Sequence, residues 1–404
     1  MPRHSHLRDD REEADHRVNF LELFFDLVFV FAITQLSHHL LAHHTLAGAL
    51  QTLVMFLAVW WAWIYTAWAT NWLDPERTPV RLALLAVMLL SMVMSSAIPG
   101  AFADFGLVFA LAYAGIQVGR TFYTAWAREG FPGGRSTNMA RAGAYFLASA
   151  LLWVAGGLDP DPQRRLLWWV AALAVEYAGP FTFFWVPGIG RSTPEEWKIS
   201  GAHMAERAGL FIIIALGEGI IMTGAAFAEL EPTTATVLAF VSAFIGSVAM
   251  WWIYFDVGAR RGSELIEHDD RPGLIGRQAY TYGHIPIVAG IILLAVADEQ
   301  ALMHPTGHLE PFYVGAVIGG ALLFIGGTMI FKRMTSGQHF WPLSHCAGLV
   351  LFALLGLWAA IGHPPPLALH IGSTVCFLIV AVWEWVSFHG GWVGRFARPG
   401  GPKR

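Results

Sequence analysis

The chain has 404 residues, of which 55% are hydrophobic and only 13% are Asp, Glu, Lys or Arg, and its formal net charge is −4. Such a composition offers too little polar surface to coat a water-soluble globule of this length, so it predicts a protein of the lipid bilayer. The negative net charge argues against nucleic acid as a partner.

In chain order, residues 1–19 are rich in charge and precede the first apolar run, which predicts a disordered cytoplasmic tail and no cleavable signal peptide. Twelve apolar runs follow, each near the ~20 residues needed to cross bilayer hydrocarbon, and residues 389–404 form a basic cytoplasmic tail. The predicted fold is therefore an all-α polytopic membrane helix bundle with about 12 transmembrane helices. Spans are expected near 20–40, 46–69, 80–98, 102–126, 140–157, 166–187, 204–228, 234–256, 276–299, 311–331, 343–361 and 367–388.

Lysine and arginine collect in every second predicted loop, beginning with Arg77 after the second span and continuing to Lys332 and Arg333 after the tenth. Of the intervening loops, only one holds basic residues, Arg164 and Arg165. Because basic loops stay on the cytoplasmic side, this alternation predicts an even number of spans with both termini in the cytoplasm.

The first span carries two carboxylates, Glu22 and Asp26, and their i,i+4 spacing places them on the same face of a helix. An ionisable side chain inside the bilayer is by default a functional-site hypothesis, usually as part of a proton or ion pathway. The seventh span places His203, Arg207 and Glu218 on one stripe. Arg207 and Glu218 are about 16 Å apart along that helix, too far to pair.

Glu22 and Asp26 are therefore the predicted partners of Arg207, because two acids satisfy a guanidinium and leave one carboxylate free to titrate. Glu218 lies between two glycines, which allow another helix to approach closely, and it is the predicted proton carrier. The alternative for Glu22, Asp26 and Arg207 is a fixed salt-bridge cluster that only holds two helices together.

The remaining polar residues of interest fall in the sixth to ninth spans and in the twelfth span. Glu176 and Glu384 are predicted to complete a polar lining near the midplane, and His284, before a helix-kinking Pro286, is predicted to join them. A hydrogen bond to a neighbouring helix is the alternative role for His284. Supporting positions are assigned to His203, Glu206 and Tyr280, whereas Asp256, Asp298 and Glu299 are expected at solvated helix ends.

Short sequence echoes suggest two six-helix halves, residues 20–190 and 191–388. Trp60–Tyr65 in the second span is echoed by Met250–Asp256 in the eighth, and Glu176 is echoed by Glu384. Six helices per half predict two parallel repeats, an arrangement found in transporters. Convergence on a Trp-Ile-Tyr sequence at the membrane interface is the alternative explanation.

Two runs resemble the signature pair of the bacterial low temperature requirement A proteins. They are Phe20-Leu-Glu-Leu-Phe-Phe-Asp-Leu-Val-Phe-Val-Phe-Ala-Ile-Thr-Gln-Leu36 and His203-Met-Ala-Glu-Arg-Ala-Gly-Leu-Phe-Ile-Ile-Ile-Ala-Leu-Gly-Glu218. The resemblance extends over nearly the whole chain. It implies a multi-pass protein of the bacterial cytoplasmic (inner) membrane that is linked by name to growth in the cold, and it implies no defined biochemical activity.

The favoured function is a proton- or cation-coupled transporter, or an ion-conducting protein, that acts on an unknown small solute or ion through its buried carboxylates. An intramembrane enzyme acting on lipid and a non-catalytic membrane scaffold are the alternatives. The chain contains no P-loop, no Gly-x-Ser-x-Gly motif and no His-Glu-x-x-His helix, so no cofactor and no metal are expected. The sequence gives no oligomeric state.

Overall fold

The computed structural model describes residues 6–8, 18–128, 135–335 and 341–388. Most of the predicted tail at 1–19 and all of the basic tail at 389–404 lie outside the described residues. The described part of the chain is mainly helical, and its β-structure is limited to two isolated bridges, Leu7 with Leu73 and Val186 with Gly190.

The described residues contain twelve long helices. They are α1 (Phe20–Ala42), α2 (Leu46–Trp72), α3 (Thr78–Ala97), α4 (Gly106–Arg128), α5 (Arg135–Leu158), α6 (Pro162–Phe181), α7 (Gly201–Ala228), α8 (Thr234–His268), α9 (Pro272–Met303), α10 (Pro311–Thr335), α11 (Leu343–Gly362) and α12 (Pro366–Phe388). Ten of them are long and apolar enough to cross a membrane, and α4 and α6 are the exceptions. A multi-pass, all-helical membrane protein is therefore confirmed, with ten qualifying spans where twelve were predicted.

Local sequence sets where the helices begin. Asn19 caps α1, because its side chain accepts from the amide of Leu21 while the carboxylate of Glu22 accepts from the amide of Asn19. Asp161 caps α6 by accepting from the amides of Gln163 and Arg164, and Pro162 occupies the first helical position, where a missing N–H costs nothing. The cap of α1 fixes Glu22 in the first helical turn.

Packing divides the chain into two compact units. Unit 1 comprises Met1–Glu218 and Ser263–Ile285, and unit 2 comprises Gly219–Gly262 and Pro286–Arg404. Each of α7, α8 and α9 therefore contributes one part to each unit. Two parallel six-helix repeats, with the boundaries given by the sequence echoes, remain a prediction.

In unit 1, α1 packs on α2 and α3, and α4, α5 and α6 pack in chain order. Arg165, at the start of α6, is buried and donates to the carbonyls of Ala101 and Ala103, both at 2.7 Å. It also donates to the carbonyl of Gly156 near the end of α5. A Cβ at Gly106 would lie 2.5 Å from the Arg165 guanidinium carbon, so a larger residue here would have to displace the hydrogen-bonded guanidinium.

In unit 2, α8 and α11 pack on α12, and α10 packs on α11. Short π-helical segments interrupt three long helices: Tyr254–Ala259 in α8, Gly276–Tyr282 in α9 and Gly315–Gly319 in α10. Such segments displace backbone carbonyls from the regular hydrogen-bond ladder and occur frequently at functional sites. Two of the three bear on the polar sites described next.

Candidate functional site

The largest group of buried charges in unit 1 joins the first turns of α1 and α7. It consists of Glu22 and Asp26 on α1, His203 and Arg207 on α7, and Arg8 from the segment that precedes α1; we call it the α1–α7 charge cluster. The four helical residues are each 0% exposed. Because a buried charge is tolerated only when it is paired and hydrogen-bonded, the partners of each group decide what the cluster can do.

Arg207 bridges the two acids of α1, as predicted. Its Nη1 donates to Glu22 Oε1 at 3.0 Å and its Nη2 donates to Asp26 Oδ1 at 2.7 Å. The ring centres of Phe25 and Trp63 each lie 5.7 Å from the Arg207 guanidinium carbon. The indole N–H of Trp63 donates to Asp26 Oδ1, the oxygen that also accepts from Arg207, at 2.8 Å. One guanidinium thus holds both carboxylates within an aromatic surround.

Arg8 supplies a second positive charge that the sequence analysis did not assign. Its Nη2 donates to Glu22 Oε2 at 3.1 Å, and its Nε donates to the carbonyl of Thr70 at the end of α2. Glu22 therefore accepts from Arg8, Arg207 and the amide of Asn19. With two carboxylates facing two guanidinium groups, the charges of the cluster balance when its histidine is neutral.

Hydrogen bonds fix His203 in its neutral form. The amide of Ser200 donates to Asn71 Oδ1 at 2.7 Å, which orients the Asn71 side chain so that its Nδ2 faces His203 Nδ1 at 3.2 Å. An amide nitrogen only donates, so Nδ1 of His203 carries no proton. The imidazole proton therefore lies on Nε2, which donates to Glu22 Oε1 at 3.0 Å.

Asp26 is the one acid of the cluster with spare accepting capacity. Its Oδ1 accepts from Arg207 and Trp63, but its Oδ2 is buried without a hydrogen-bond donor among the described residues. Nε of Arg207 is buried without an acceptor in the same part of the chain. An unsatisfied buried carboxylate oxygen is costly, and it is the atom to which a proton or cation can be added without breaking an existing contact.

Further along the same two helices, Thr34 of α1 donates to Glu218 of α7 at 2.5 Å. Glu218 is 2% exposed, which agrees with the buried position predicted for it. Since α1 and α7 meet near their starts through Arg207 and again farther along through Glu218, the two helices run in the same direction. Because α1 and α7 run in the same direction, both helices start on the same side of the membrane. The chain therefore crosses the bilayer an even number of times between the start of α1 and the start of α7.

The other predicted residues of unit 1 lie apart from this cluster. Glu206 is exposed on α7 and accepts from the amide of Val18. His284 is fully buried, donates through Nδ1 to the carbonyl of Ala279 at 2.9 Å, and stacks on Tyr280 and Trp60. The accepting carbonyl belongs to the π-helical segment of α9, so His284 satisfies a group that the irregular backbone displaces.

Glu176 forms a second polar site in unit 1, and its hydrogen-bond partners among the described residues come from α4 and α5. Oε2 accepts from the Tyr113 hydroxyl, and Oε1 accepts from Ser149 at 2.7 Å and from Trp153 at 3.0 Å. Arg120 reaches this site only through Gln117. These partners were not predicted, although the sequence holds one signal for them: Tyr113, Gln117 and Arg120 recur at helical spacing on one face of α4.

In unit 2, Glu384 of α12 pairs with Lys332 of α10. Lys332 Nζ donates to Glu384 Oε1 and to the carbonyl of Ile253, which immediately precedes the π-helical segment of α8. The assignment of Lys332 to a cytoplasmic loop is wrong, because it lies in the last turn of α10 and is 7% exposed. Its long aliphatic stem lets the ammonium reach inward from the helix end.

Asp298 also departs from its expected place at a solvated helix end. It is buried and accepts from Nε2 of His370 at 2.8 Å, while Nδ1 of the same imidazole faces the Ser242 hydroxyl at 3.0 Å. Thr374 donates its hydroxyl proton to the Ser242 carbonyl, and its Oγ1 also lies 2.9 Å from Ser242 Oγ, so two acceptors, Thr374 Oγ1 and His370 Nδ1, face the Ser242 hydroxyl. The three residues form a hydrogen-bonded chain across α8, α9 and α12 within unit 2.

Comparison with known proteins places the chain in a defined group. Residues 17–382 match the family model described as bacterial low temperature requirement A protein. An uncharacterized protein of Rhizobium meliloti (strain 1021) is 40% identical over 386 residues, which cover 95% of this chain and 93% of the relative. No solved structure matches the chain.

Proposed function

The chain belongs to the bacterial low temperature requirement A family, and we propose that it acts there as a proton- or cation-coupled transporter or ion-conducting protein. The proposal assigns the coupling step to the buried carboxylates of α1 and α7. The protein would carry an unidentified small solute or ion across the bacterial cytoplasmic membrane.

The observation that carries the proposal is the unsatisfied Oδ2 of Asp26. Every other carboxylate oxygen of the α1–α7 charge cluster accepts at least one hydrogen bond, so the other sites for added charge are occupied. A cluster built only to hold two helices together would gain from a donor at this oxygen. A site that binds and releases an ion instead requires an acceptor atom that carries the ion in one state and has no partner in the other, as Asp26 Oδ2 would.

Protonation of Asp26 has a defined mechanical consequence. It removes the negative charge that holds Nη2 of Arg207, whereas Nη1 remains attached to Glu22. The α1–α7 contact then loosens at one of its two bonds without releasing the guanidinium into hydrocarbon. Glu218, hydrogen-bonded to Thr34 on the same pair of helices, is the second station for the ion.

Reconstituted liposomes that contain a pH-sensitive dye test this assignment. Asp26→Asn and Glu218→Gln should each abolish ion-coupled flux, because the amides keep the side-chain shapes and remove the titratable groups. Glu231→Gln, an exposed acid in the loop after α7, is the matched control and should retain flux. Full flux in Asp26→Asn, with the protein correctly inserted, would refute the proposal.

The proposed topology has both termini in the cytoplasm. Two observations support this topology: α1 and α7 run in the same direction, and basic residues occur in alternate loops. Fusion of a reporter that is active only in the cytoplasm to the C-terminus should give activity. Activity of a periplasm-specific reporter at that position would contradict the topology.

A second candidate function, an intramembrane enzyme acting on lipid esters, is favoured by the Ser242–His370–Asp298 chain. In this reaction Ser242 Oγ attacks the ester carbonyl, Nδ1 of His370 takes its proton and returns it to the leaving alcohol, and Asp298 stabilises the imidazolium. Water then releases the fatty acid and regenerates the serine. A fluorophosphonate probe should label the unsubstituted chain but not the Ser242→Ala variant. Absence of labelling in the unsubstituted chain would refute the enzyme function.

A further inference from the structure

One end of unit 2 contains a cavity that neither proposed activity uses. Its volume is about 320 Å³, and it lies where the ends of α10 and α12 approach the π-helical segment of α8. The charged residues of its lining are Arg261, Lys332 and Glu384, and the aromatic residues are Trp341, Trp383 and Phe388.

The charges of this cavity are incompletely paired. Oε1 of Glu384 accepts from Lys332, but Oε2 of Glu384 is buried without a donor among the residues that the structure describes. Glu384 is only 3% exposed. The guanidinium carbon of Arg261 lies 4.5 Å from the ring centre of Phe388, and a guanidinium carries five N–H donors in its own plane. The cavity therefore offers one acceptor for a cationic donor and one planar cation for an anion.

An apolar groove continues directly from this cavity along α12. Its volume is about 580 Å³, and Trp383 and Ser387 line both spaces. The other lining residues recur at helical spacing on one face: Val375, Leu378, Ile379, Val382 and Val386. A ligand that fills both spaces must carry opposite charges at one end and an apolar chain at the other.

We propose that unit 2 binds a glycerophospholipid whose headgroup ends in a primary ammonium, the phosphatidylethanolamine class. The ammonium donates to Oε2 of Glu384, the phosphate accepts from Arg261, and an acyl chain lies along the α12 groove. A trimethylammonium headgroup has no N–H to donate, and an anionic glycerol headgroup brings no positive charge to Glu384. The inference does not depend on either proposed activity.

Lipid binding by the purified full-length chain in detergent micelles tests the assignment, with retention of added lipid measured by native mass spectrometry. Phosphatidylethanolamine should bind about tenfold more tightly than phosphatidylcholine or phosphatidylglycerol of the same acyl chains, since a charge-assisted hydrogen bond is gained. Glu384→Gln should remove this preference, and Arg261→Ala should weaken all three lipids. Arg260→Ala is the matched control, because Arg260 is exposed and does not line the cavity.

Several outcomes would overturn the proposal. Equal binding of phosphatidylethanolamine and phosphatidylcholine would remove the role of Glu384, and that comparison uses the unsubstituted chain, so it stands even where Glu384→Gln fails to fold. If soluble glycerophosphoethanolamine, which has no acyl chain, displaced the lipid at an equal concentration, the α12 groove would contribute nothing to binding. Formation of a dimer that excludes lipid would show that a second copy, and not a phospholipid, covers α12.

Discussion

Replacement of Arg207 by methionine should destabilise the protein severely, because it leaves two fully buried carboxylates facing one guanidinium. Arg207 makes direct ion pairs of 3.0 and 2.7 Å with Glu22 and Asp26, and all three side chains are 0% exposed. Removing one partner from a buried ion pair typically costs about 3–5 kcal/mol, mostly as the penalty of an uncompensated charge. Arg207→Met changes the balanced cluster to a net charge of −1.

A second substitution separates this electrostatic penalty from lost packing. Asp26→Asn added to Arg207→Met returns the cluster to balance, with Glu22 facing Arg8. The double variant should therefore be more stable than Arg207→Met alone, by a coupling energy of about 1–3 kcal/mol. Unfolding by SDS in mixed micelles, followed by tryptophan fluorescence, measures the free energies.

Arg164→Met provides the control for loss of an arginine, because Arg164 is 61% exposed in its pair with Asp159 and should contribute little. Equal stability of Arg207→Met and the double variant would refute the reasoning, since it would mean that packing and not charge sets the cost. An Arg207→Met variant as stable as the unsubstituted chain would refute the burial of the cluster.

Three further substitutions test individual contacts of the polar sites by the same unfolding measurement. Glu176→Gln should cost about 1–3 kcal/mol, because an amide nitrogen then faces donors that the carboxylate oxygen accepted; no change would show that these donors do not converge. Trp63→Phe should cost about 1.5–3 kcal/mol through the lost hydrogen bond to a carboxylate, and an unchanged stability would contradict that contact. Gly258→Ala should cost about 1–3 kcal/mol because its Cβ would lie 2.7 Å from Lys332 Cε; Gly326→Ala, with open space around it, should be neutral or stabilising, and equal effects would exclude the steric cause.

The α1–α7 charge cluster was predictable in part because its members obey helical spacing. Glu22 and Asp26 lie one turn apart, and Arg207 is too far from Glu218 to pair with it, so the sequence alone points to a contact between two helices. Hydropathy likewise predicts the helical bundle, since each long apolar run must satisfy its backbone hydrogen bonds internally.

The partners that sequence reasoning missed share a physical cause. Arg8 belongs to a charged segment whose composition resembles a solvated tail, and nothing local indicates that it docks on α2 and α1. Lys332 sits at a helix end, where a basic residue ordinarily marks a loop, and its ammonium donates to the carbonyl of Ile253, just before the π-helical segment of α8. Such irregular backbone has no periodic signature. Glu176 and Glu384 echo each other in sequence, yet neutral donors satisfy one and an ammonium the other, because tertiary neighbours decide the environment.

The sequence separation inside the α1–α7 charge cluster has a consequence for biosynthesis. Arg207 follows Asp26 by 181 residues, so at about 5–20 residues per second the ribosome delivers the guanidinium roughly 10–35 s after the acid. During that interval α1 carries two carboxylates without the guanidinium of Arg207. The helix must therefore remain in a hydrated environment, either within the insertion machinery or at the level of the lipid headgroups. Ribosome stalling before residue 207 should therefore leave α1 extractable from the membrane, and release of the stall should anchor it.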